Sequence, residues 1–351
     1  VCSSDLYATR QEFDRYLQEF LALGVRPEDF SVYESIVWEI RRMLQSAATV
    51  ENIDTEWLES LLATLRNIPV QKTSAAYHSL LSAAIKIRNW SGVIDFINWW
   101  GLEHLTEEDY QPNINSQGMS YMGLAETTYN ALSRAMLMLN EPERQNAYID
   151  KLQRVIDRHP DYRFLPYYKA KLMFRLNRHE EALASLKEFA QRNSSAFWVW
   201  QLLGDEHSDV NDKMMFYIKA VSCPAADNMT VKLREQVGRF LISRNMIEMG
   251  KYQIEKAVAI RQKEGAHIPF SIENLRKEIW YQEIDGEWDE AFARAQQERA
   301  EQFLFADLKQ IPVLVSYVNQ TKRTVSFVSE QLKGGYFRMP KNIEKLPERG
   351  Q

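Results

Sequence analysis

The sequence predicts an all-α fold of antiparallel helix pairs ended by a short β-rich segment, and three observations point to it. Gly and Pro are scarce, at 13 and 11 of 351 residues, while 45% of the chain is hydrophobic and 12% aromatic. That balance favours helix and supplies a core. Apolar residues recur at three- and four-residue spacing in successive runs, each stopped by Gly, Pro or an Asn/Asp cluster. Small residues also stand at equal steps, Ala170, Gly204 and Gly238 being 34 apart. At this length a helical array or two to three domains fit better than one compact domain.

Val1–Leu6 match the translated end of a common sequencing adapter. They are set aside as an expected assembly scar, with the natural chain expected to begin further upstream. Phe13, Tyr16, Leu17, Phe20 and Leu21 then mark a helix over 7–23, closed by Gly24. Pro27 opens the next helix, whose apolar stripe is Tyr33, Ile36, Val37, Ile40 and Leu44. Asp54 is placed to cap a third helix carrying Trp57, Leu58, Leu61, Leu62 and Leu65, and Pro69 breaks it. Residues 73–87 and 93–100 form a helix pair around Asn89-Trp90-Ser91-Gly92. The polar stretch 107–118 reads as a loop. Another pair, 121–139 and 144–158, is joined through Pro142.

From 161 onward the pattern sharpens. Trp200-x-x-Leu203-Gly204 stands between Asn177-Arg-His-Glu-Glu-Ala182-Leu183 upstream and Tyr217-x-x-Ala220 with Pro224 downstream. Second helices follow the small-residue steps, with Ala182, Leu186 and Ala190 in one and Gly250, Ile254 and Ala257 in another. Tyr217 and Ala220 arrive about three residues early, so that unit has a shortened first helix or turn. Asp285-Gly286-Glu287-Trp288-Asp289-Glu290-Ala291 reads as the turn of a final unit. These motifs resemble the tetratricopeptide (TPR) family over 161–306, and more loosely over 7–160. The resemblance implies an α-solenoid in which small residues let the two helices of a pair approach closely. It also implies a concave groove lined by first helices. The positions that would face it are Tyr167, Lys171, Arg175, Gln201, Asp205, Glu235, Arg239, Arg276 and Trp280. The Lys/Asn set by which some family members hold a terminal carboxylate is not reproduced.

After Lys309 the period changes to two. Residues 311–319 and 324–328 alternate as strands about a turn, and 332–338 supply a third. The run Val315-x-x-Val318-Asn319-x-x-Lys322-x-x-Val325-x-Phe327 resembles the first strands of an OB-fold, S1 or cold-shock barrel. Some 40 residues are too few to close five strands, so the segment 309–351 is expected to be a truncated module. It holds eight Lys/Arg against three Asp/Glu, about +5 on a body of about −10 in a chain of net −5. Tyr317, Phe327, Tyr336 and Phe337 lie among Lys322, Arg323, Lys333, Arg338 and Lys341. Aromatics that stack bases, ringed by cations, are how such surfaces hold RNA or single-stranded DNA. Strand alternation must turn half of those aromatics inward.

Catalytic signatures are missing. There is no P-loop, dinucleotide-binding glycine motif, zincin motif or nucleophile elbow. The six histidines, His78, His104, His159, His179, His207 and His267, lack ligand spacing and are assigned surface or capping roles. Asp285, Glu287 and Asp289 have no Glu at the last position of a calcium loop, so no metal or other cofactor is expected. The tryptophan pairs Trp99/Trp100 and Trp198/Trp200 are assigned to packing between helices. Cys223, beside Pro224, is read as a small buried hydrophobe. Two cysteines without C-x-x-C, and no apolar run of membrane-spanning length, point to a reducing cytoplasm and no membrane. The domain order expected is helical hairpins over 7–160, TPR-like repeats over 161–308 and a basic β module over 309–351. The functional expectation is a non-catalytic scaffold that binds a protein or peptide segment in the groove. One alternative is a nucleic-acid-associated protein acting through its C-terminal module. Another is a non-catalytic fragment of a larger multidomain enzyme.

Overall fold

The structure is a computed structural model and describes residues 3–26, 28–50, 53–72, 74–309, 311–330, 334–339 and 346–350, with backbone alone over 3–9. The described residues are mostly helical, with sixteen α-helices and a small C-terminal antiparallel sheet. They cluster into two compact units, residues 1–186 and 187–351.

In the first unit, α1 (Ser3–Ala22), α2 (Phe30–Ala47), α3 (Thr55–Arg66), α4 (Ala75–Ala84) and α5 (Val93–Trp100) follow the expected order. Pro27, the expected opener of α2, lies outside the described residues. The predicted stripe Tyr33, Ile36, Val37, Ile40 and Leu44 is the buried face of α2. Each such aliphatic side chain removed from water contributes about 1.5–3 kcal/mol before the entropy of ordering it. Asp54 caps α3 as expected, its side chain accepting from the Trp57 amide. Ser74 does the same for α4 through the Tyr77 amide. Trp100 is fully buried, stacked on Tyr77 at 5.1 Å, with its Nε1–H donated to the Tyr77 carbonyl.

The stretch 107–118 is more ordered than its polarity suggests. Glu107–Tyr110 form a 3-10 turn closed by a capping box between Thr106 and Asp109. Beyond it β1 (Asn113–Ile114) pairs antiparallel with β2 (Ser120–Tyr121). Short side-chain caps satisfied by their own backbone let a polar segment fold without an apolar core. Then come α6 (Leu124–Met138), α7 (Pro142–Arg158) and α8 (Leu165–Arg175), followed by α9 (His179–Arg192), which runs from one unit into the next. Pro142 begins α7, where its missing amide costs nothing.

The second unit continues with α10 (Phe197–Glu206), α11 (Val210–Ser222), α12 (Asp227–Ser243), α13 (Ile247–Lys263), α14 (Phe270–Lys277), α15 (Ile279–Glu283) and α16 (Glu290–Phe305). Two helix ends share the same turn chemistry. Asn177 and Asn245 are two 34-residue lengths apart, and both adopt left-handed φ, 59° and 62°. Each is followed by the same bond, Arg178 N–H to the Met173 carbonyl and Met246 N–H to the Leu241 carbonyl. This is the Schellman closure of a helix end. Between those hairpins, α10 spans only ten residues and Asp209 caps α11 directly, which is the predicted shortening. Ala170, Gly204 and Gly238 are all buried on the first helix of a hairpin.

The last helical unit departs from expectation. Its first helix is broken at extended Glu278 into α14 and α15. Ala291, the last residue of the expected turn, is exposed. Asp289 fixes where α16 starts, and the face so set buries Ala293, Gln296, Ala300 and Leu304. That helix lies back along α11 (Phe303 meets Phe216 at 5.2 Å) rather than beside its sequence neighbours alone. Lys219 adds an ion pair to Glu301. A strict solenoid would contact only adjacent repeats.

The C-terminal sheet has order β3 (Leu314–Asn319), β4 (Thr324–Val328) and β5 (Gly335–Arg338), both pairings antiparallel and β3 bulged between Val315 and Tyr317. The third strand expected from 332–338 is therefore present over 335–338, with Leu332 outside the described residues.

Candidate functional site

The positions expected to line a groove fall on first helices, and the structure joins several of them. In the second unit, Gln201 and Asp205 of α10 meet Gln236 of α12. The Gln201 amide donates to Gln236 Oε1 at 2.8 Å, and Gln236 Nε2 donates to Asp205 Oδ1 at 2.5 Å. Tyr217 of α11 completes the cluster, its hydroxyl donating to the same Asp205 oxygen at 2.8 Å. Burial first, then the bond to Asp205, holds the Tyr217 phenol above its ordinary range. Further along α12, Arg239 Nη2 donates to Ser271 Oγ of α14 at 2.7 Å. Side-chain hydrogen bonds thus link α10 to α12 and α12 to α14.

Glu235 is turned elsewhere. It pairs with Arg261 of α13 at 2.6 Å, both side chains largely buried. Gln236, one position on, takes the place expected of Glu235. Gln236 and Tyr217 were not singled out from the sequence. A polar residue adjacent to a predicted one, and a tyrosine at a helix crossing, were the available signals. Arg276 Nε donates to Glu255 Oε1 of α13 at 3.0 Å. Trp280 is half-buried against the cluster of Ile254, Val258, Ile272 and Tyr281.

The remaining three groove positions lie on α8 in the first unit. Lys171 Nζ stands 5.4 Å from the centre of the Tyr167 ring, and Arg175 donates to the Leu137 carbonyl. Their i, i+4, i+8 spacing puts them on one helix face.

On the sheet, register sorts the aromatics. Tyr317 pairs with Ser326, and Ser326 with Tyr336, so the two tyrosines share one face with a small residue between them. Thr324 and Arg338 pair in the next row of that face. Tyr317 is 58% exposed and Tyr336 77%. The other face holds Val315, Val325, Phe327 and Phe337, the two phenyl rings 5.8 Å apart. Alternation therefore splits the four aromatics in half, as expected. Lys322 and Arg323 sit in the turn between β3 and β4, Arg323 with φ 51°. Lys333 and Lys341 lie outside the described residues.

Surface or capping roles were expected of the histidines: His159 and His207 are the C-cap residues of α7 and α10, and four histidines, these two among them, occupy half-buried places in aromatic clusters. His159 is stacked between Tyr110 at 4.9 Å and Tyr162 at 4.8 Å. His78 and His104 meet Trp100 edge-on, and His207 meets Phe216 at 4.7 Å. An imidazole packs there as one more flat ring. Among the described residues no group of three His, Cys, Asp or Glu side chains is placed to hold a metal ion. Burial pushes the Cys223 thiol up to about 11, which leaves little thiolate at neutral pH. No described helix is long and apolar enough to cross a membrane.

Residues 163–300, which span α8 to α13 and most of the last helical unit, match the model of a domain of unknown function (DUF7017). No curated protein and no solved structure matches the chain.

Proposed function

We propose that the chain is a non-catalytic scaffold, a TPR-like array whose stitched first helices bind a partner protein segment in the cytoplasm. The observation that supports this most is the polar wall of α10, α12 and α14, tied by Gln201–Gln236, Asp205–Gln236 and Arg239–Ser271. A wall held by its own hydrogen bonds is already in binding conformation, so a partner segment alone loses freedom on docking. The recurrent left-handed Asn turns and the small residues at the helix crossings favour the TPR-like reading. The return of α16 along α11 makes it a variant of that plan. A photo-crosslinking residue at Arg239 in the full chain tests the proposal. It should trap a partner segment, whereas the same probe at exposed Ala291 should not. Equal trapping at both positions would count against a groove.

A second reading rests on its own observation, the shared face of Tyr317, Ser326 and Tyr336. Two inter-strand spacings separate the tyrosines by about 10 Å, which admits bases stacked on each ring. Arg338 and Lys322 lie within the same OB-like module for the phosphates. Binding of a labelled single-stranded oligonucleotide should weaken steeply with salt and fall when both tyrosines become alanine. Unchanged binding by that double variant would remove this reading.

A further inference from the structure

A pocket of about 700 Å³ lies between α13 and the broken helix α14–α15, lined by Lys251, Glu255, Ile268, Glu273, Arg276, Lys277, Tyr281 and Gln282. The volume is in the range of small-molecule sites. Its charges do not cancel locally. Glu255 Oε1 already accepts from Arg276 Nε at 3.0 Å and from the Tyr281 hydroxyl at 2.9 Å. Among the described residues no carboxylate is a hydrogen-bond partner of Lys251. Its Nζ donates to two carbonyls, Tyr281 O and Ile284 O, both at 2.6 Å. Those bonds pin the end of α15 but leave the ammonium charge in place. Lys251 and Lys277 then face a single further acid, Glu273. The Arg276 guanidinium is oriented through Nε, and its two Nη nitrogens make no hydrogen bond to a described residue. An oriented fork with free Nη–H groups is suited to a planar carboxylate. Ile268 and the small exposed edge of Tyr281, which is 2% exposed, border it with apolar surface.

We infer that this pocket is a binding site for an organic carboxylate with an apolar body, its acid group on Arg276 and Lys277 and its body against Ile268 and Tyr281. The site shares α14 with the polar wall but not the side chains that tie the wall together, and acid binding there is read without a partner protein. The carboxylate can come from a free organic acid or from a glutamate side chain of another protein, and the experiment separates these sources.

Ligand-observed NMR on the full chain would use phenylpropionate, its uncharged amide, inorganic phosphate, and a capped peptide holding one Glu between two Leu residues. Phenylpropionate should bind at least about tenfold more tightly than the amide, the scale of one charge-assisted hydrogen bond. Arg276→Gln should abolish that preference. Because it also releases Glu255, Lys277→Gln at the exposed neighbour serves as the second variant and should weaken the acid about threefold or more. Tighter binding by the peptide than by the free acid assigns the site to a protein side chain, and the reverse assigns it to a metabolite-sized acid. Equal binding of acid and amide, equal competition by phosphate, or no change in either variant would overturn the inference.

Discussion

Gly238 of α12 and Gly250 of α13 face each other so closely that a Cβ on either would meet the other's carbonyl oxygen, at 2.9 and 2.7 Å. Backbone stands on both sides, so neither helix can relieve the contact by turning a side chain. Replacing Gly by Ala in a helix ordinarily gains about 1 kcal/mol of propensity. Overpacking a close crossing costs about 1–3 kcal/mol. Gly250→Ala is therefore expected to destabilise on balance, by about 1 kcal/mol, with a lower urea midpoint and unchanged slope. A raised midpoint would show that the helices separate without cost.

Tyr217 sits where three helices meet, bonded to Asp205 and Gln236. Tyr217→Phe keeps the ring against Gly204 and removes only the hydroxyl. The loss expected is about 1 kcal/mol. A double-mutant cycle with Gln236→Ala should show coupling of about 0.5 kcal/mol or more. Additive effects would mean that the wall is not tied together there.

Burial raises the phenols of Tyr77, Tyr148, Tyr162, Tyr217 and Tyr281 above their ordinary value of 10.0. A raised value in the fold means the native state holds the proton more tightly than the unfolded chain. That contribution is complete below the unfolded value of 10.0 and is lost as pH climbs through the folded one. Stability from urea titrations should be insensitive to these groups up to pH about 10. Above it, stability should fall by about 1.4 kcal/mol per pH unit for each such tyrosine. Tyrosinate absorbance should rise for these rings only together with loss of helical circular dichroism. Ionisation that precedes unfolding would contradict their burial.

Phe303 holds α16 on α11, meeting Phe216 and His207, yet it is 41% exposed. Phe303→Ala should cost less than the 3–5 kcal/mol typical of a core phenylalanine, about 1–2 kcal/mol. Amide exchange should speed up along α16 before it does in α12 or α13. Glu301→Gln, which breaks a half-exposed ion pair with Lys219, should cost under about 1 kcal/mol. Uniform exchange across the unit would show that α16 is no separable element.

The two faces of the sheet predict opposite outcomes. Tyr336→Ala should weaken oligonucleotide binding by about 1–3 kcal/mol with little change in stability. Phe327→Ala, beneath it on the packed face against Phe337, should lower the melting temperature while keeping the salt dependence of binding. Identical behaviour of the two variants would mean that no face is selective.

Much of the local structure was legible in the residues. Asp54 as a cap, the buried stripe of α2 and the third strand ending at Arg338 each depend on a few neighbouring positions. Short-range rules suffice for such features, since capping, φ restriction and amphipathic period act within a turn or two. The split of Tyr317 and Tyr336 from Phe327 and Phe337 was readable for the same reason, as alternation is a property of the strand itself.

Where the chain turned back on itself, local rules ran out. Whether Glu235 or Gln236 meets α10 depends on how two helices distant in sequence pack, and Glu235 went to Arg261 instead. His159 and His78 pack against rings that lie tens of residues away, Tyr110 and Trp100, which no local stretch reveals. The return of α16 to α11 and the pocket around Arg276 both need surfaces that only packing creates. Side chains far apart in sequence are sorted by the shape and charge of what they meet, and that information is absent from any single stretch of chain. The residues alone therefore settled helix, strand, cap and exposed face, and three-dimensional packing decided which of those faces stand together.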